Sequence, residues 1–99
     1  MSSLLSTTLA AADAAVSPRT ACFSVCAQAE PGVMPRVLEL FAKRGLVPHT
    51  WHSAASPSSL SIDIQVAGLG GETVEYIANC MRQIAGVQLV LTSEGRLTG

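Results

Sequence analysis

The chain has 99 residues, of which 48% are hydrophobic and only 13% charged, with a formal net charge of -1 and a pI near 6.0. That length fits one small domain. The charge balance leaves no basic surface for a phosphate backbone, and 4% aromatic residues provide no stacking platform for bases, so nucleic acid is not an expected partner. The apolar surplus is high for a small domain, which has proportionally more surface to cover, so part of it is expected against another subunit. No stretch approaches the roughly 20 apolar residues that span a bilayer, and no membrane segment is expected.

Residues 1–18, "MSSLLSTTLAAADAAVSP", carry no Lys or Arg, and Asp13 interrupts their apolar part. They lack the charged start of a secretory signal and read as an Ala/Ser-rich extension, either mobile or a short helix over Leu4 to Val16. Three cysteines cannot all pair internally, and their spacing is no disulfide framework. A reducing cytoplasm is the expected compartment.

The first regular element is predicted over residues 20–28, "TACFSVCAQ". Ala21, Phe23, Val25 and Ala27 alternate with Cys22, Ser24, Cys26 and Gln28, the period of a strand with one apolar face. Glu30, Pro31 and Gly32 then break the chain. A helix over about 33–44 follows, with Met34, Val37, Leu38 and Phe41 at i, i+3, i+4 and i+7 as its expected buried face. Lys43 and Arg44 load its last turn, where the dipole favours cations, and Gly45 is the expected left-handed cap.

"LVPHTWHSA" is the second strand candidate, and Pro48, which has no N–H to donate, points to an edge position or a bulge. "SPSS" at 56–59 is a turn. "LSIDIQVA" alternates most cleanly, with Leu60, Ile62, Ile64 and Val66 inward. "GLGG" at 68–71 closes it, and a second helix over about 72–85 sets Val74, Ile77, Ala78 and Met81 on one stripe before Gly86. "VQLVLTS" is the last strand. The order β-α-β-β-α-β, with single-striped helices and one-faced strands, predicts an α+β, ferredoxin-like sandwich: a four-stranded antiparallel sheet with both helices on one face.

No constellation for catalysis emerges, and no enzyme is expected. The five glutamates form no recognisable acid–base pair, and "GLGG" lacks the strand-Gly-helix setting of a nucleotide loop. Cys80 is expected on a packed helix, where a thiol is inert. Cys22, Cys26, His49 and His52 invite a zinc reading, but strand residues four apart stand about 13 Å from each other. Two thiolates on one zinc each lie about 2.3 Å from the metal. No metal and no cofactor are therefore expected. What remains is the Glu-Pro-Gly loop, where a helix N-terminus offers free N–H groups to a carboxylate such as that of an amino acid.

A strand, an acidic residue-Pro-Gly, an Arg-Val-containing helix, Arg-Gly and a closing β-α-β resemble the ACT domain, a regulatory amino-acid-binding module. More narrowly, "EPGVMPRVLELFAKRGL" is similar to the start of acetolactate synthase small (regulatory) subunits, with counterparts of Glu30-Pro31-Gly32, Arg36-Val37, Phe41 and Arg44-Gly45. "LSIDIQVAG" and "IANCMRQIAGVQLV" follow the same family, and the resemblance covers about residues 20–93. It implies an ACT domain over 19–94, with 1–18 as an extension and 95–99 as a tail. It also implies a homodimer, docking on a thiamine-diphosphate-dependent catalytic subunit of branched-chain amino-acid biosynthesis, and a small amino-acid effector. The effector pocket would lie between Glu30, Pro31, Gly32, Val33 and Met34 of one chain and Val47 and Pro48 of the other. Ala29 and Val47 stand where the family has asparagines that help to hold valine, so weak binding is expected. In size the chain is nearest the short, single-domain small subunits. A free-standing amino-acid sensor is the alternative, and a thiol- or metal-binding ferredoxin-like module is a third.

Overall fold

The computed structural model describes residues 19–96; the extension 1–18 and residues 97–99 of the tail lie outside the described residues. Its elements are β1 (Arg19–Gln28), α1 (Val33–Ala42), β2 (Thr50–Ala55), β3 (Ser59–Ala67), α2 (Gly71–Arg82) and β4 (Val87–Arg96). The strands form one antiparallel sheet in the order β2-β3-β1-β4, the split βαβ arrangement that the element order predicts.

The period of two decides the layers. Ala21, Phe23, Val25 and Ala27 of β1 pair with Val66, Ile64, Ile62 and Leu60 of β3, and all eight are buried. Val33, Val37 and Phe41 of α1 and Val74, Ile77, Ala78 and Met81 of α2 close over them. Phe41 meets Phe23 edge to face, with ring centroids 5.5 Å apart. Trp51 of β2, opposite Ile64, is half-buried against the same core. The β1–β4 register shifts between Cys26 and Ala27, which leaves Gln88 as the extra residue of a bulge.

Three details differ from the pattern in the sequence. Val33, Val37 and Phe41 form the buried stripe of α1, whereas Met34 and Leu38 are 37% and 46% exposed. The apolar face of this helix is wider than the contact it makes with the sheet. Secondly, both helices end early, α1 at Ala42 and α2 at Arg82. Gly45, at φ +69°, donates to Ala42 O at 3.0 Å, and Leu46 donates to Phe41 O at 3.0 Å, the paired bonds of a Schellman cap. Lys43 and Arg44 thus lie in the closing turn, where the Arg44 guanidinium donates to Leu40 O and lies 4.6 Å from the Tyr76 ring centre. Thirdly, β2 begins at Thr50, so Pro48 precedes the strand; β2 is nonetheless an edge strand.

Candidate functional site

The Glu-Pro-Gly loop leaves the end of β1 and turns at once into α1. Backbone bonds fix it: Gln28 N–H donates to Gly86 O at 2.8 Å, Ala29 N–H to Ser58 O at 3.3 Å, and Val33 N–H to Glu30 O at 3.1 Å. The second bond ties the loop to the β2–β3 hairpin. That hairpin is itself closed by Ser56, whose N–H donates to Ser59 O at 2.8 Å. Between loop and hairpin lies a recess of about 210 Å³ lined by Ala29, Glu30, Pro31, Met34, Ala55 and Leu60.

The seven residues expected to bind an effector separate into three groups. Glu30, Pro31 and Met34 line the recess together. Gly32 is the N-cap of α1 and has no side-chain cap, while Val33 turns its side chain fully into the core and its N–H to Glu30. The N–H groups left without a backbone acceptor among the described residues are therefore those of Gly32 and Met34. Val47 and Pro48 lie beyond the far end of β2, a strand length of about 20 Å from the loop of the same chain. Val47 is 85% exposed.

Sequence reasoning missed three participants. Ala55 and Leu60 complete the recess from the hairpin, which only the β2–β3 register reveals. Arg36 sits one turn into α1, and its guanidinium lies over Gly32, where a β-carbon would collide with it. A cation four residues after the N-cap glycine was the available signal, since that spacing brings a long side chain back over the helix start. Among the described residues the ion pair is Arg19–Glu94, at 3.1 Å, and Arg36 takes no part in it. The Glu30 carboxylate leans the other way: a β-carbon on Gly86 would stand 3.2 Å from Glu30 Oε1 and 3.3 Å from Val33 Cγ2. Two N–H groups and a guanidinium beside a small apolar recess suit a carboxylate bearing a short aliphatic side chain.

The cysteines and histidines do not assemble in this way. Cys22 and Cys26 lie on the face of β1 opposite the helices, His52 lies opposite Asp63, and exposed His49 precedes β2. Among the described residues no group of three or more His, Cys, Asp or Glu could hold a metal ion. No helix among them is long and apolar enough to cross a membrane.

A split βαβ sandwich with a small recess at the first strand–helix junction is an architecture shared by small-molecule-binding regulatory domains. The sequence matches the ACT-like domain family over residues 14–96, and the chain belongs to that family. ACT domains are, in general, regulatory and non-catalytic. Among solved structures, the chain is similar to the ACT domain of a GTP pyrophosphokinase from Chlorobium tepidum, at 12% identity and TM-score 0.69 over 77% of this chain and 99% of that one. An uncharacterized protein of Thermotoga maritima matches at 15% identity and TM-score 0.64, over 78% and 96% of the two chains. The C-terminal domain of the MgtC protein from Mycobacterium tuberculosis matches at 12% identity and TM-score 0.67, over 82% and 92%. At these identities the likeness concerns the fold. No curated protein matches the sequence.

Proposed function

We propose that this ACT-like protein is a non-catalytic regulator, similar to the small subunit of acetolactate synthase, that pairs with itself and takes a small aliphatic amino acid at the pairing edge. The observation that carries the reading is the position of the recess beside an open strand edge. β2 ends the sheet, and Met34 and Leu38 leave apolar surface on the helix beside it. Antiparallel pairing of β2 with β2 of a second copy would cover that surface and extend the sheet to eight strands. It would also bring the partner copy's 47–48 segment to this copy's recess, because antiparallel strands set the start of one against the end of the other. The effector's carboxylate would meet Gly32, Met34 and Arg36, and its side chain Ala55 and Leu60.

The sequence similarity around Glu30-Pro31-Gly32 and Arg36-Val37 supports a thiamine-diphosphate-dependent catalytic subunit as the regulated partner. The experiment is co-purification of the tagged chain with a candidate catalytic subunit, followed by its activity with and without the chain. Neither association nor a change in rate would sink the small-subunit reading. A second reading, a free-standing amino-acid sensor, draws on the fact that Ala29, Met34, Ala55 and Leu60 line the recess within one chain. Stabilisation of the isolated protein by valine, with no catalytic partner, would favour it.

A further inference from the structure

β2 and β4 are the two edges of the sheet, and a side chain guards only one of them. Residues 87–93 of β4, "VQLVLTS", hold no charged residue, no proline and no glycine. Leu89 and Leu91, on the face turned away from the helices, are 48% and 57% exposed. An uncharged, apolar, β-favouring run on a sheet edge is a template for a second copy of itself. Native edges of this kind are blunted by charges, prolines or covering groups.

The hydrogen-bond directions along β1 show which groups β4 presents outward. In a central strand, successive residues turn their N–H and C=O to opposite neighbours. Gln28 N–H donates towards β4, to Gly86 O, whereas Ala29 N–H donates to Ser58 O and Arg19 O accepts from Gly68 N–H, both on the β3 side. The extra residue of the bulge lies in β4, so this alternation runs unbroken along β1. Val25 therefore bonds towards β3, and its β4 partner Val90 turns its own N–H and C=O out of the sheet. Arg82, the last residue of α2, reaches that carbonyl. One guanidinium nitrogen donates to Val90 O at 2.9 Å, and the other donates to Asn79 Oδ1 at 2.7 Å, one helical turn back. Asn79 thus holds the fork across the edge. Among the described residues no side chain bonds to the backbone of β2 in this way.

We propose that β4 is a second self-pairing edge that Arg82 holds shut, and that β4 of another copy is what it takes when Arg82 is removed. The outward carbonyl fixes the register. A twofold axis at Val90 sets it opposite Val90 of the second copy, so that each N–H reaches the other's C=O, the atom that Arg82 now occupies. In the same register Leu89 of each chain meets Leu91 of the other, Gln88 meets Thr92, and no like charges on the strands face each other. Arg82 opposes this pairing twice. It fills the acceptor, and pairing would bring two guanidinium groups together at the axis. A chain open at both edges adds copies without closing, so Arg82 limits a β2-paired protein to two copies. That consequence alone rests on the proposed β2 pairing.

The test removes the guanidinium and keeps the stem, as Arg82→Met in the full chain, with sedimentation velocity from about 1 to about 100 µM protein. The wild-type mass should level off at a dimer, whereas that of the variant should rise to at least about twice the wild-type value. Amide exchange read by mass spectrometry should slow over 87–93 as the mass rises and stay unchanged over 50–55. Adding Leu91→Lys to Arg82→Met places a charge in the leucine pair and should restore the wild-type mass. Equal masses for Arg82→Met and the wild type overturn the proposal. Growth that Leu91→Lys leaves in place also overturns it, by assigning the association to unfolding rather than to this edge. A wild-type monomer whose Arg82→Met variant dimerises, with slowed exchange over 87–93, would support the β4 latch and sink the β2 pairing.

Discussion

Replacing Gly32 with aspartate should separate effector binding from folding. Gly32 has φ -79° and ψ -10°, ordinary right-handed values, so an L-residue enters without backbone strain. Its β-carbon would meet the Arg36 guanidinium, the far end of a flexible side chain that can swing aside. A carboxylate at the helix N-terminus then gains about 0.3–1 kcal/mol from the dipole, and as a cap it improves on glycine by only a few tenths. The unliganded variant should therefore melt no lower than the wild type. On the proposed function, the same carboxylate would occupy the place of the effector's own. With no side-chain hydrogen bond from Ala29 or Val47, a wild-type Kd of ~1 mM is reasonable, and ~10 mM valine then adds about 1.4 kcal/mol. For a domain of this size that is about 6–11 °C in Tm, which thermal-shift fluorimetry reads directly. The variant should show none of it. An equal valine shift in both proteins would place the carboxylate elsewhere, and a variant several degrees less stable without valine would refute the account of the Gly32 backbone. If valine, leucine and isoleucine move neither protein, the loop is a turn, and the chain is a docking subunit without an effector.

Met34→Asp should convert a dimer to a monomer by sedimentation at tens of micromolar protein while leaving Tm within a few degrees, because the side chain is exposed within one chain; a wild-type monomer at that concentration would already contradict the β2-edge pairing. Phe41→Ala removes a fully buried ring and its edge-to-face contact with Phe23, so urea denaturation should show a loss of about 3–5 kcal/mol. A loss below about 1 kcal/mol would contradict the packing of α1. Gly86→Ala should cost about 1–3 kcal/mol, since φ +97° disfavours a side chain and Glu30 and Val33 crowd the position; unchanged stability would show that this turn differs in solution. Elemental analysis of protein purified without added metal should find well under one zinc per chain. A stoichiometric zinc lost with Cys26→Ser would break the strand assignment of β1.

The sheet was legible because its signal has a period of two and admits one answer. In β1 and β3, a slip of one residue would expose Phe23, Ile62 and Ile64 and bury Ser24 and Asp63, so alternation fixes both strand and face. The α2 stripe was equally clear, since Val74, Ile77, Ala78 and Met81 stand among polar neighbours. The ends were harder. Both helices close through tight turns whose residues remain good helix formers, and the end of α1 is set by the Gly45 and Leu46 hydrogen bonds rather than by composition.

The α1 face resisted for a physical reason that bears on function. Val33, Met34, Val37, Leu38, Leu40 and Phe41 are all apolar, so two stripes offset by one residue share Val37 and Phe41, and periodicity cannot choose between them. The sheet chooses, taking Val33 and leaving Met34 and Leu38. A helix that buried one narrow stripe and had no other contact would have no use for those two side chains. Met34 in fact borders the recess beside Glu30, Pro31, Ala55 and Leu60, on the side of the sheet that ends in β2. The residues that made the helix ambiguous are thus the ones that the single chain does not consume. On the proposed pairing they would lie at the edge that a second copy covers, beside the loop proposed to take the carboxylate. Dimerisation and effector binding would then draw on one patch, so each should strengthen the other by the same factor.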